Sequence, residues 1–166
     1  MRSSWFMIAR LTALVLMPLS AEAEVRVNFV NPQSYQDRDF RSTATRESVI
    51  AEFRRYFDRL GSRYLKEGQS LSIDVLDADL AGEYEPWRRT FNDVRILRDV
   101  TPPRFKLRYT LTQRGTVLMS AEEIVTDINY LWDPSASSST ERFPYEKDML
   151  RDWFRKRFVE LRAPRV

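Results

Sequence analysis

The pattern that most constrains this chain is a change of hydrophobic period from two to about 3.6 and back again. Val25-Arg26-Val27-Asn28-Phe29 alternates apolar and polar residues, the mark of a half-buried strand, and Asn31-Pro32 ends it. Between residues 42 and 66 the period lengthens. Val49, Ile50, Phe53, Tyr56, Phe57, Leu60 and Tyr64 recur at three- and four-residue intervals, which draws one apolar stripe along a helix. Leu71-Ser72-Ile73-Asp74-Val75 then alternates again. A strand, an amphipathic helix and a second strand in that order set the two strands parallel through a right-handed crossover. Ser42, Thr43 and Thr45 are suitable helix N-caps, and Gly68 is a natural stop. Gly61 within the helix costs about 1 kcal/mol relative to Ala, and we read it as a close approach to the sheet.

The rest of the chain continues in strands and closes with a helix. A short strand is expected at residues 94–97, after which Thr101-Pro102-Pro103 breaks any ladder. Phe105, Leu107, Tyr109 and Leu111 share one face of a long strand, Gln113-Arg114-Gly115 turns, and residues 116–126 return as its hairpin partner. The apolar phase slips between Met119 and Ile124, which predicts a bulge there. Residues 133–140 (DPSASSST) read as a mobile surface loop. Residues 143–161 form the closing helix, with Leu150, Trp153, Phe154, Phe158 and Leu161 on one face and Pro144 in its first turn. The order β-α-β-β-β-β-α reads as an α+β fold. The expected form is a two-layer sandwich, with a mainly antiparallel sheet of about five strands and both amphipathic helices on one face. Phe53, Phe57, Leu60, Phe105, Leu107, Tyr109, Trp153, Phe154 and Phe158 are the expected core.

Residues 1–23 carry a different signal. Arg2 and Arg10 give a positive flank, residues 11–19 an apolar run, and Ala21-Glu22-Ala23 a small-x-small cleavage site. The apolar run is far short of the roughly 20 residues of a membrane-spanning helix, so a cleaved secretory signal is preferred over an anchor. The mature chain is then expected to begin at Glu24 and to work outside the cytoplasm, in a bacterial periplasm. Of 166 residues, 143 remain after residue 23, enough for a single domain over residues 24–166. The chain has no cysteine, so it carries neither a disulfide nor the cysteine of a lipid anchor. With no histidine either, Ser-His-Asp and Cys-His catalysis are excluded, and zinc or haem ligation is disfavoured. The net charge of +3 becomes +2 once Arg2, Arg10 and Glu22 are removed, too little to imply nucleic acid as a partner.

Several segments together resemble a known family. They are Val27-Asn28-Phe29-Val30-Asn31-Pro32, Ile73-Asp74-Val75-Leu76-Asp77-Ala78-Asp79-Leu80-Ala81-Gly82 and Glu85-Pro86-Trp87-Arg88-Arg89. Asp93-Val94-Arg95-Ile96-Leu97 and Tyr145-Glu146-Lys147-Asp148-Met149-Leu150-Arg151-Asp152-Trp153-Phe154 follow in the same order. The match is to an exported bacterial family known as domain of unknown function 3016. The resemblance implies a single secreted domain and supplies no activity, cofactor or site residue.

Four constellations have chemistry to weigh. Asp77-x-Asp79-x-Ala81-Gly82 imitates the start of a calcium loop. It fails at Ala81, which has no side-chain oxygen, and at Arg88, where a bidentate Glu is needed. Asp77 and Asp79 lie about 6.6 Å apart on one face of an extended chain, a spacing open to a carboxylate hydrolase but shared by any two such residues. Tyr84, Trp87, Tyr130 and Trp132 stand among charged residues in or near loops, where rings either grip a sugar or peptide or fold back over the core. The basic run Arg151, Arg155, Lys156, Arg157, Arg162 and Arg165 is interrupted by Asp148, Asp152 and Glu160 and reads as an ordinary charged helix face. The leading expectation is a non-catalytic envelope module that binds another protein or a cell-wall component. It needs no cofactor, binds no nucleic acid and has no stable membrane insertion after signal cleavage. Its expected surface is Asp77, Asp79, Glu83, Tyr84, Glu85, Trp87, Arg88 and Arg89. A small carboxylate-based hydrolase acting on cell-wall material and a calcium-binding module are the rivals.

Overall fold

The computed structural model describes residues 23–85, 87 and 94–160. Residues 1–22, which hold nearly all of the expected signal sequence, Arg88, Arg89 and the chain from Leu161 onward lie outside the described residues. Two strands and a helix open the fold: β1 (Glu24–Phe29), α1 (Thr43–Tyr64) and β2 (Gln69–Asp79). A small ribbon follows, β3 (Glu83–Tyr84) and β4 (Arg95–Ile96), and then the hairpin β5 (Arg104–Gln113) and β6 (Thr116–Thr126). A single turn, α2 (Pro134–Ser137), leads to α3 (Pro144–Phe154), which widens into a π-helical turn at Arg155–Val159.

The main sheet has the order β1-β2-β5-β6; β1 and β2 are parallel, and the other pairs are antiparallel. The class is α+β, and the expected sheet of about five strands is corrected. Residues 95–96 do not join the main sheet but pair with β3 in a separate two-stranded ribbon. A two-residue strand has no apolar face of its own, so nothing local directs it to the larger sheet. The expected loop at 133–140 contains α2, whose first turn is organised by Asp133 accepting from the Ser135 amide at 2.7 Å. Ser42 occupies the N-cap of α1 without a capping hydrogen bond, and the helix ends at Tyr64 rather than at Gly68. Arg114 and Gly115 both adopt positive φ, as a two-residue hairpin turn of the primed type requires.

All nine residues expected in the core belong to one buried cluster, which joins the inward positions of the sheet to α1, α3 and the π-helical turn. Tyr109, Trp153, Phe154 and Phe158 meet mostly edge to face, with centroids 4.8–6.2 Å apart. Such geometry favours the ring quadrupoles. Two irregularities set which side chains join this cluster. The first lies in β2, where the register shifts between Val75 and Asp77. Leu76 is the extra residue, so Ala78 turns inward while Asp77 and Asp79 turn to the outer face, opposite Lys106 and Arg104. The Val75 carbonyl at this bulge accepts from the Val30 amide at 2.9 Å and the Tyr35 hydroxyl at 2.5 Å.

The second irregularity corrects the bulge expected between Met119 and Ile124. Pairing is continuous there, and the shift falls instead at Leu118. The apolar phase slips because Glu123 points inward and Ile124 outward. Glu123 accepts from Trp153 Nε1 at 2.9 Å, Tyr109 Oη at 2.9 Å and the Arg157 guanidinium at 2.6 and 2.7 Å. Burial opposes its ionisation, but these donors prevail and hold its carboxyl below the usual range. One member of the expected basic face, Arg157, therefore points into the protein.

Gly61 is a close approach, as its place in the helix implied. A Cβ there would lie 2.2 Å from Val25 Cγ2 on β1, far inside contact distance. Gly61→Ala should therefore lower stability by about 1–2 kcal/mol, even though Ala gains about 1 kcal/mol in helix propensity. In a Val25→Ala background the same substitution should become neutral or stabilising. Denaturant titration of the four variants checks this; a stabilising single Gly61→Ala would refute the contact.

Candidate functional site

The site is assembled where β2 leaves the sheet. Beyond the bulge, Asp77 pairs with Arg104 at 3.1 Å. Burial, and then the nearby Asp37 carboxylate, push the Asp79 carboxyl above its usual range. The chain turns at Gly82, whose φ is +76° and where a Cβ would lie 2.7 Å from the Ile96 carbonyl oxygen. Only glycine lets β3 and β4 meet so closely.

Two buried carboxylates from distant parts of the chain hold this turn. Asp37 Oδ2 accepts from the Leu80 amide at 2.8 Å, and Glu146 Oε1, near the start of α3, accepts from the Ala81 amide at 2.8 Å. Burial pushes the Glu146 carboxyl upward. Arg95, brought in by β4, fills the centre. Its guanidinium pairs with Asp37, lies 3.4 Å from Asp39 Oδ2 and donates to the Gly82 carbonyl at 2.7 Å. Arg95 Nε is buried and has no hydrogen-bond partner among the described residues. The Tyr84 ring lies beneath two guanidinium groups, Arg38 at 4.4 Å and Arg95 at 4.7 Å from its centroid. Its hydroxyl donates to Asp39 Oδ1 at 2.8 Å, and burial and that carboxylate raise its pKa.

A second clip continues the framework. Glu85 is buried and pairs with Arg98. The backbone of Arg98 is gripped by the Tyr130 hydroxyl, which donates to its carbonyl at 2.7 Å and accepts from its amide at 3.1 Å. Tyr130 is thus buried and structural, not a free loop ring; it stands edge-on to Tyr145. Two other rings hang outward from the same framework. Trp87, two residues beyond Glu85, is 72% exposed, and Trp132, two beyond Tyr130, is 85% exposed.

The expected surface is therefore divided. Asp77 and Asp79 lie on the sheet's outer face beside Arg104, Tyr84 and Glu85 belong to the buried framework, and Glu83 and Trp87 face solvent. Arg88 and Arg89 lie outside the described residues. Asp37, Asp39 and Arg98 had no motif to mark them, and Arg95 and Glu146 stood only within segments that carry the family resemblance. A cleft of about 170 Å³ lies between Asp79, Glu83, Thr101 and Arg104 in this region. Among the described residues no three acidic or other metal-ligating groups come together to hold an ion. No described helix is long and apolar enough to cross a membrane.

These features define a class: an α+β domain whose strand-end loops are tied by buried ion pairs and present exposed indoles. The chain belongs to the family described as "Protein of unknown function (DUF3016)", whose model matches residues 23–156. No curated protein and no solved structure matches it.

Proposed function

We propose that this chain is an exported envelope protein that binds another envelope protein or a cell-wall component without catalysis, through the surface bearing Trp87 and Trp132. The observation that carries this reading is the exposure of two indoles on a loop framework held by Asp37, Arg95, Glu85, Arg98 and Tyr130. A large ring left in solvent gains nothing for folding, while a rigid scaffold keeps the ordering cost of binding low. The secretory pattern of residues 1–23 supports the address, with cleavage leaving Glu24, the first residue of β1, at the N-terminus.

The test is co-sedimentation with purified cell-wall sacculi, alongside cross-linking in the intact envelope. Trp87→Ala with Trp132→Ala should abolish capture while changing stability by no more than about 0.5 kcal/mol, as for an exposed surface. Undiminished capture by the double variant would refute the reading, and so would a loss of capture that merely follows unfolding. The hydrolase reading keeps one favourable observation, the raised Asp79 carboxyl beside the small cleft. Turnover of cell-wall fragments that disappears in Asp79→Asn would support it over simple binding.

A further inference from the structure

We propose that the cleft between α1 and the α2–α3 segment is a second binding site, for a small organic anion with a phosphate or carboxylate head and an apolar body. The cleft holds about 720 Å³, within the range of small-molecule sites. Tyr56 and Leu60 of α1 face Ala136 and Pro144 across it, which gives an apolar floor and wall. Arg59 and Arg63, one helical turn apart, stand at its edge.

The four cations lining the cleft differ in what already holds them. Lys147 lies 2.7 Å from both Glu52 and Glu141, and together with Arg55 it draws the Glu52 carboxyl down to about 2. Arg151 is paired with Asp148. Arg59 and Arg63 make no ion pair with a described residue; each lies over a tyrosine ring, Tyr56 at 5.3 Å and Tyr64 at 5.4 Å. Contacts of that kind at an exposed site are weak and leave the guanidinium edge free to donate. Two such forks set one turn apart suit the oxygens of a single anionic head. The carboxylates of Asp58, Glu141 and Asp148 also line the cleft and repel an extended polyanion, so the fit is to a compact head on an apolar body.

Isothermal titration calorimetry on the purified protein tests this with phenyl phosphate, phenylacetate, inorganic phosphate and benzyl alcohol. The aromatic anions should bind more tightly than inorganic phosphate, and benzyl alcohol should give no binding heat. The stronger of phenyl phosphate and phenylacetate identifies the head group. Arg59→Gln with Arg63→Gln should weaken binding at least about tenfold without moving Tm. Absence of binding by both aromatic anions would overturn the proposal, as would affinity unchanged in the double variant or equal affinity for benzyl alcohol. Trp87→Ala with Trp132→Ala should leave these titrations unchanged, which separates this site from the strand-end surface.

Discussion

Truncating Phe57 or Phe154 to Ala should cost about 3–5 kcal/mol, a large share of the 5–15 kcal/mol that holds a typical domain together. Both rings are fully buried, one on each of the two long helices. Phe154 stands 4.8 Å from Phe158, edge-on, and 6.0 Å from Tyr64, tilted, so its removal opens a hole that these already packed rings cannot collapse to fill. The cost therefore contains the lost transfer of the ring from water and also the energy of the cavity left behind. Urea titration should show a lower midpoint at unchanged slope. Val100→Ala, at a side chain 76% exposed, should stay within about 0.5 kcal/mol and serves as the control. Near-wild-type stability of Phe57→Ala or Phe154→Ala would contradict the assignment of these helix faces to the core.

The fold was legible in the sequence wherever one face of an element is buried and the other wet. Val25, Val27 and Phe29 on one strand, and Val49, Phe53, Tyr56, Phe57 and Leu60 on the helix, carry their period openly because packing demands it. Legibility failed where the period was broken for a reason located elsewhere. Glu123 occupies an inward position because Arg157, Trp153 and Tyr109 supply its hydrogen bonds, and those donors arrive from 14 to 34 residues away. The inward Glu and outward Ile124 therefore resembled a slipped register, although the true extra residue is Leu118. At Leu76 the strand continued through a bulge that alternation could not follow, which turned Asp77 and Asp79 onto the outer face.

The candidate site was legible as a region and not as a mechanism of assembly. The mixed acidic and aromatic composition after β2 pointed to residues 77–89. The groups that organise it are separated from it by long stretches of chain: Asp37 lies 43 residues from Leu80 and Glu146 lies 65 from Ala81. A buried charge has no local signature, because its partner and not its neighbours makes burial tolerable. The aromatic residues show the same limit. Tyr130 and Trp132 have similar loop surroundings, yet a hydroxyl that reaches the Arg98 backbone draws one inward and leaves the other outside.

Asp37→Ala should be as damaging as loss of a core ring, at about 3–5 kcal/mol. The Asp37 side chain is only 1% exposed and satisfies three donors at once: the amides of Asp39 and Leu80 and the Arg95 guanidinium. Its removal orphans the Leu80 amide and leaves Arg95, 17% exposed and among the described residues without a partner at Nε, with Asp39 as its remaining ion pair among those residues. Much of the expected cost is thus the weakened compensation of a buried charge rather than the lost pair. Arg95→Met placed on Asp37→Ala should recover part of the stability, because it removes the stranded guanidinium and offers an apolar chain beneath Tyr84. Hydrogen exchange at the Leu80 and Ala81 amides should accelerate in Asp37→Ala before the sheet opens, since Asp37 anchors one of these amides directly. Additive losses in the double variant, or a single Asp37→Ala that costs less than about 1 kcal/mol, would show that the buried ion pair does not hold the strand end together.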